Sequence, residues 1–353
     1  VQPKSVLLVR LSALGDVVHV LPALAALRAA LPGAKLGWAV EERAGSLLEG
    51  HPQLDRRHLV PRGALERAFR RGDVPGFLVL ASRAIREIRR ERYEVVLDFQ
   101  SNFRSSLLAR LSGAPRRIGQ PAPYSKEGSR LLLGESPDPV ARSVHKIERN
   151  LRLLAPLGIV PGATPRPVIP EPETSRALGE RFRDSAGGKP LVLLHPGVSA
   201  FGSFKAWREE GYAALARDLA ASRGAHVAIA WGGAQEKVGA ERVVALARGA
   251  ACLAPATATV LDLAALLRRV ALFVGADSGP LHLAAALGSP VVGLYGPKDP
   301  STYGPYWENA RVVRKGVPCS PCRLRRCARP ECMTLLTADE VGRSALTLLD
   351  ATR

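Results

Sequence analysis

Short apolar runs that alternate with helix-like stretches constrain this chain more than any other feature of it. KSVLLVR at 4–10 leads through a loop into VVHVLPALAALRAA at 17–30, which Leu31-Pro32-Gly33 ends. The alternation returns with LGWAVEE at 36–42, a helical stretch near 76–91, YEVVLDFQ at 93–100 and an apolar, basic helix from Arg104 to Leu111. Strands separated by helices pair in parallel, and the helices cover both faces of the sheet. The expected class is α/β.

Six prolines interrupt the pattern between 156 and 172 (Pro156, Pro161, Pro165, Pro167, Pro170, Pro172). Proline donates no ladder hydrogen bond and stiffens an extended spacer, so this stretch reads as a domain boundary. Beyond it the alternation restarts: LVLLHPG at 191–197, a helix from about Ala206 to Ser222, HVAIAWG at 226–232 and a helix near 234–247. A helix from Thr259, ALFVGAD at 271–277, a helix from Pro280 and PVVGLYG at 290–296 complete it. At 353 residues the chain exceeds what one core usually serves. We expect one parallel-sheet domain over 1–165, a second over 166–336, and a closing helix over 337–353 that opens with a Thr337-x-x-Glu340 capping box. Ligands of such folds bind outside the carboxyl ends of the strands, here in a cleft expected between the domains.

No apolar stretch reaches the roughly 18 residues of a membrane span, and the first apolar run lacks a small-residue cleavage site, so a cytoplasmic protein is expected. Lys and Arg outnumber Asp and Glu by 50 to 32, a net charge of +18 that favours nucleic acid, phosphorylated sugars or an anionic membrane face. Arginine pairs at 56–57, 70–71, 89–90 and 116–117 are expected on helices. A basic nucleic-acid-binding protein is the rival from another class, but aromatics are only 5% and no recognition motif is visible.

Neither the dinucleotide fingerprint nor the P-loop is present, which disfavours a dehydrogenase and a P-loop ATPase. Three loops at carboxyl ends of expected strands remain. In Ser12-Ala13-Leu14-Gly15-Asp16, the carboxylate could cap the following helix or take a proton from an attacking hydroxyl. In the second, His195-Pro196-Gly197 precedes Lys205-Ala206-Trp207, offering backbone N–H groups, Ser199 and a cation to phosphate, or simply a turn with a surface lysine. In Gly275-Ala276-Asp277-Ser278-Gly279-Pro280-Leu281-His282, glycine and proline open a helix whose N–H groups and dipole make an anion site.

The ordered set R-L-S-A-L-G-D-x-x-H-x-L-P-A-L, H-P-G with K-x-W, and G-A-D-S-G-P-L-H-L-A-A-A-L-G-x-P-V-V-G-L-Y-G-P resembles the ADP-heptose:lipopolysaccharide heptosyltransferases, glycosyltransferase family 9. Trp38-Ala39-Val40-Glu41-Glu42 and Asp98-Phe99-Gln100 resemble the subgroup that adds the first heptose to Kdo on lipid A. The resemblance implies a GT-B fold, two Rossmann-like domains facing a cleft, and an inverting, metal-independent transfer. The first domain would bind acceptor and the second the nucleotide sugar. Asp16 would be the general base, with His19, Gln100 and Arg104 on the acceptor. Lys205, Glu236, Asp277, Ser278, Gly279, His282 and Ser199 would bind the donor. The implied partners are ADP-heptose, Kdo-lipid A and the cytoplasmic face of the inner membrane, met peripherally by a monomer through the Arg clusters near 56–71 and 104–117, with no nucleic acid. Heptosyltransferase II, another sugar-nucleotide transferase and a sugar-nucleotide epimerase are the alternatives. No cofactor is required; Cys319, Cys322, Cys327 and Cys332, spaced C-x2-C-x4-C-x4-C, could hold a structural zinc or iron–sulfur cluster, or, with Arg323, Arg325, Arg326 and Arg329, form a basic lid.

Overall fold

The structure, a computed structural model, describes residues 2–322, 324 and 326–351. Arg323 and Arg325 of the expected basic lid therefore lie outside the described residues, as does the end of the closing segment past 351. The chain divides into two compact units, Val1–Pro170 and Glu171–Arg353, so the break falls inside the proline-rich stretch.

The first unit holds five strands: β1 Ser5–Val9, β2 Lys35–Glu41, β3 Arg56–Val60, β4 Val95–Asp98 and β5 Arg116–Gly119. They lie in the order β3-β2-β1-β4-β5, every pair parallel. Central β1 is buried along its whole length, which its unbroken apolar run requires. Arg56-Arg57 and Arg116-Arg117 open the edge strands β3 and β5 and are not on helices as expected. An edge strand has one open side, which admits guanidinium groups that a central strand would bury without partners. Arg70-Arg71 and Arg89-Arg90 do lie at helix ends, those of Arg62–Arg70 and Val74–Arg90.

The second unit holds β6 Leu191–His195, β7 His226–Ile229, β8 Cys252–Leu253, β9 Leu272–Ala276, β10 Val291–Tyr295 and β11 Ala310–Arg314, in the order β11-β10-β9-β6-β7-β8 and again all parallel. Edge strands β8 and β11 have no apolar run of their own and escape the sequence pattern. The helix expected from Ala206 starts at Glu209, because Ala200–Lys205 already turns as a short 3-10 helix. The helix Ala338–Ala351 packs in this unit against Glu209–Arg223, its capping box formed by Thr337 N–H to Glu340 (3.0 Å) and Glu340 N–H to Thr337 Oγ1 (3.3 Å). The two parallel sheets with their helices bear out the α/β class. Among the described residues no helix is long and apolar enough to cross a membrane.

Candidate active site

Where β1 leaves its sheet, Arg10 turns inward and donates from Nη1 to the Phe99 carbonyl at 2.9 Å, while its backbone N–H holds Ala39 of β2 at 3.2 Å. The next turn is the short helix Leu14–Val18, and Asp16 sits in it, accepting loosely from the Ala13 N–H at 3.4 Å. The carboxylate expected either to cap this helix or to take a proton thus does make the local cap contact. Arg10 pairs with Oδ2 of Asp16, and Lys146, first residue of the helix Lys146–Arg152, pairs with Oδ1. Burial alone would raise the Asp16 carboxyl. The Arg10 guanidinium, then the Lys146 ammonium, outweigh it and hold the carboxyl far below the usual carboxylate range. Burial in turn pushes the Lys146 ammonium down to about 8 against the upward pull of Asp16. Despite its two partners, Asp16 keeps 29% of its side chain exposed.

The three residues expected on the acceptor fall into different settings. His19 closes the Leu14–Val18 helix, buried, edge-on to His145 at 5.9 Å, its carbonyl accepting from Asn150 Nδ2 at 3.0 Å. Gln100 turns its side-chain oxygen to the Leu11 N–H at 3.0 Å, so it ties the end of β4 to the loop after β1. Arg104 reaches Glu41 at the end of β2 (2.8 Å), whose other oxygen takes Arg62 at 3.2 Å. Beneath them Asp98 is fully buried and accepts from the Gln100 and Ser101 N–H groups and the Ser105 and Ser106 hydroxyls, 2.6–3.0 Å away. It fixes the start of the helix that carries Arg104.

In the second unit the loop after β9 gathers a tighter cluster. Asp277, 9% exposed, receives Lys205 Nζ on Oδ2 at 2.5 Å and faces His282 Nε2 from Oδ1 at 3.2 Å. Burial would raise its carboxyl, but the His282 hydrogen bond and the Lys205 charge bring it down to about 2. Ser278 is the N-cap of the helix Gly279–Leu287, yet its hydroxyl makes no cap bond, and the buried oxygen has no hydrogen-bond partner among the described residues. Helix N–H groups, a hydroxyl that no described residue engages and a nearby ammonium together suit a phosphate. Glu236, in the first turn of the helix Ala234–Leu246, accepts from the Gly232 N–H at 2.8 Å and stands 3.8 Å from His195 Nε2. A Cβ at position 197 would lie 2.9 Å from the Glu236 carboxyl carbon, so Gly197 is what lets this carboxylate come in. Ser199 is exposed at the N-cap of the Ala200–Lys205 turn.

The structure therefore brings Lys205, Asp277, Ser278, Gly279 and His282 together in one unit and sets Asp16 with His19 in the other. Sequence reasoning missed Arg10 and Lys146, the two cations on Asp16. Arg10 carried a signal, as the charge closing an otherwise apolar strand; Lys146 carried none. A cavity of about 630 Å³ lined by Arg183, Lys189, Arg223 and Arg269 opens at the amino ends of β6 and β9, away from Asp277. Its arginines are taken up by Asp184, Asp350 and Glu171. Cys319 and Cys327 are exposed, Cys322 is half-buried and Cys332 is buried beside Gly296. Among the described residues no group of three or more His, Cys, Asp or Glu is arranged to hold a metal ion.

Comparison with known proteins adds the family. A family model described as glycosyltransferase family 9 (heptosyltransferase) matches residues 81–332. Lipopolysaccharide heptosyltransferase 1 of Pseudomonas aeruginosa is 31% identical over 91% of this chain and 87% of its own, and that of Escherichia coli K12 is 29% identical over 88% and 93%. Among solved structures, a glycosyl transferase family 9 protein from Veillonella parvula superposes with a TM-score of 0.84 at 24% identity, covering 99% and 98% of the two chains. The E. coli heptosyltransferase WaaC with ADP superposes at 0.75 with 25% identity over 98% and 99%.

Proposed function

The chain belongs to glycosyltransferase family 9, the heptosyltransferases, and from that premise we propose that it moves L-glycero-D-manno-heptose from ADP-heptose to the Kdo–lipid A inner core, as heptosyltransferase I. Its catalysis is inverting. The acceptor hydroxyl oxygen attacks the anomeric carbon, the bond from that carbon to the diphosphate oxygen breaks, ADP leaves with its electron pair, and the hydroxyl proton passes to Asp16. Asp16 is suited to this because it is a carboxylate with part of its surface open at the carboxyl end of a central strand. Charge growing on the leaving diphosphate is met by Lys205, the Ser278 hydroxyl, His282 and the N–H groups opening the Gly279–Leu287 helix. These fixed donors supply the stabilisation within the reading, which assigns no step to a metal or cofactor. The first unit takes the acceptor role and the second the donor role, and a single chain carries both.

The observation that carries the reading is the buried Ser278 hydroxyl at a helix N-terminus beside Lys205 and His282, polar groups set for a phosphate. Its test is transfer from ADP-heptose to Kdo2–lipid A without added metal, wild type against Asp16→Ala. Product from the wild type that disappears in the variant, with ADP binding intact, is the expected result. ADP-heptose binding without transfer would overturn the acceptor, and absence of binding would overturn the donor.

The reading also takes the enzyme to the cytoplasmic face of the inner membrane. Support comes from the hairpin of helices Arg62–Arg70 and Val74–Arg90, whose turn exposes Phe69 by 78%, Val74 by 62%, Leu78 by 59% and Val79 by 62%, beside exposed Arg67, Arg70 and Arg71. Apolar side chains bordered by arginines suit an anionic bilayer. The 104–117 cluster suits it less, since Arg104 is paired with Glu41, Arg116 with Glu135, and Arg117 with the Leu132 and Ala114 carbonyls. Changing Arg67, Arg70 and Arg71 to glutamine is expected to weaken binding to anionic liposomes by roughly 100-fold, at about 1 kcal/mol per basic residue. Unchanged binding would discard this surface.

A further inference from the structure

Asp16 meets a difficulty that the transfer reaction must solve. Both of its oxygens are held by cations, and the pair makes it a weaker base than a free carboxylate. The two cations are not equivalent. Arg10 is buried and fixed by a 2.9 Å bond from its guanidinium to the Phe99 carbonyl. Lys146 stands on a flexible stem at the first turn of its helix, with 17% of its side chain exposed.

Charge around this pair is lopsided. Arg10 approaches from the end of β1, Asp16 and His19 from the Leu14–Val18 helix, and His145 and Arg149 from the Lys146 side. Arg149 is itself buried, with its guanidinium 4.2 Å from the centre of the Tyr124 ring. Arg10 and Lys146 stand on the Asp16 carboxylate and Arg149 acts on Lys146, so positive charge is in excess around this carboxylate and an arriving anion would relieve it.

We propose that Lys146 is the receptor for an anionic group of the acceptor, a carboxylate or phosphate on its acidic sugar, and that taking up this group draws the ammonium off Asp16. The base is then held by Arg10 alone and gains basicity when the hydroxyl it must deprotonate is in place. Empty enzyme keeps Asp16 quiet. This inference rests on the reading of Asp16 as the base and of the acceptor as an acidic saccharide. Because burial brings the Lys146 ammonium down to about 8, it carries its charge below that pH and loses it above, so acceptor affinity falls as pH rises through that value.

The test is the acceptor KM from pH 6.5 to 9.5 for the wild type, Lys146→Arg and Lys146→Met, with ADP binding measured on each as a check on folding. Three acceptors are compared: Kdo2–lipid A, its carboxyl-reduced form and its dephosphorylated form. With the intact acceptor, the wild-type KM is expected to climb above pH 8. Lys146→Arg should stay flat over the range. Lys146→Met should be raised by about 10- to 100-fold at pH 7, the contribution of a hydrogen bond to a charged group. The gap between wild type and Lys146→Met should close with whichever modified acceptor lacks the anion, which identifies it as carboxylate or phosphate. A gap that persists with both modified acceptors, or a climb near pH 8 that survives in Lys146→Arg, would overturn the proposal and leave the transferase reading standing. Failure of the wild type to use any of the three while ADP-heptose binds would overturn the acceptor reading, and this inference with it.

Discussion

Each unit places an aspartate shortly after a strand inside its sheet and gives it a lysine, yet the two aspartates differ in what is left of them. Asp16 keeps 29% of its side chain in the open, and its partners are the two cations. Asp277 keeps 9%, and its oxygens face Lys205 and His282, both of them proposed to meet the donor diphosphate. A carboxylate that can still reach solvent can accept a substrate proton. One whose oxygens are occupied by neighbouring side chains instead sets the position of those side chains. Under the proposed function the same device, an aspartate with a lysine, would serve as a base in one unit and as an organiser in the other, with residual exposure as the discriminant.

Substituting each aspartate by asparagine tests that distinction most severely. Asp16→Asn is expected to lower kcat by about 100- to 10,000-fold, the range for a positioned general base, with ADP affinity unchanged. Asp277→Asn should instead weaken ADP binding and lower stability by about 3 kcal/mol, because it leaves the half-buried Lys205 ammonium without its counter-charge. Calorimetric ADP binding and denaturant unfolding on both variants decide it: a catalytic loss of equal size in Asp277→Asn with unchanged ADP affinity would erase the contrast. The pH dependence has a definite sign. Asp277 is depressed from 3.8 to about 2, so its stabilisation is fully present above pH 4 and is lost as pH falls through 2. The stability gap between wild type and Asp277→Asn should shrink by about 2 kcal/mol over that window.

The two units were not equally legible in the sequence. The second-unit cluster is written almost contiguously, since Asp277, Ser278, Gly279 and His282 fall within six residues and only Lys205 comes from elsewhere. The first-unit site joins Arg10 and Asp16 to Lys146, 130 residues away on a helix preceded by irregular chain with no periodic pattern to anchor it. Central strands announced themselves as apolar runs. Edge strands β3, β5, β8 and β11 did not, because one side is open to water and the sequence there can be RRHLV as readily as an alternating pattern. Nor could residue type alone say that the Gln100 amide oxygen and both Glu41 carboxylate oxygens were already taken by neighbours. Those are facts of packing.

The smallest effect expected is the most selective one. Ser278 differs from its neighbours in the cluster because its buried hydroxyl has no hydrogen-bond partner among the described residues, whereas Asp277 bonds to two side chains. Removing a hydroxyl that no described residue uses breaks no bond seen in the fold, so Ser278→Ala should unfold at the wild-type denaturant concentration or slightly above it. If the hydroxyl is there for the diphosphate, the same change should weaken ADP by about 3- to 10-fold, the net contribution of one hydrogen bond. Ser278→Ala and Asp277→Asn would then separate the two ways of building a binding site: a group that touches the ligand costs affinity without stability, and a group that holds its neighbours costs both. Loss of stability in Ser278→Ala would place Ser278 with Asp277 among the organisers and leave Lys205, His282 and the helix N–H groups to meet the diphosphate.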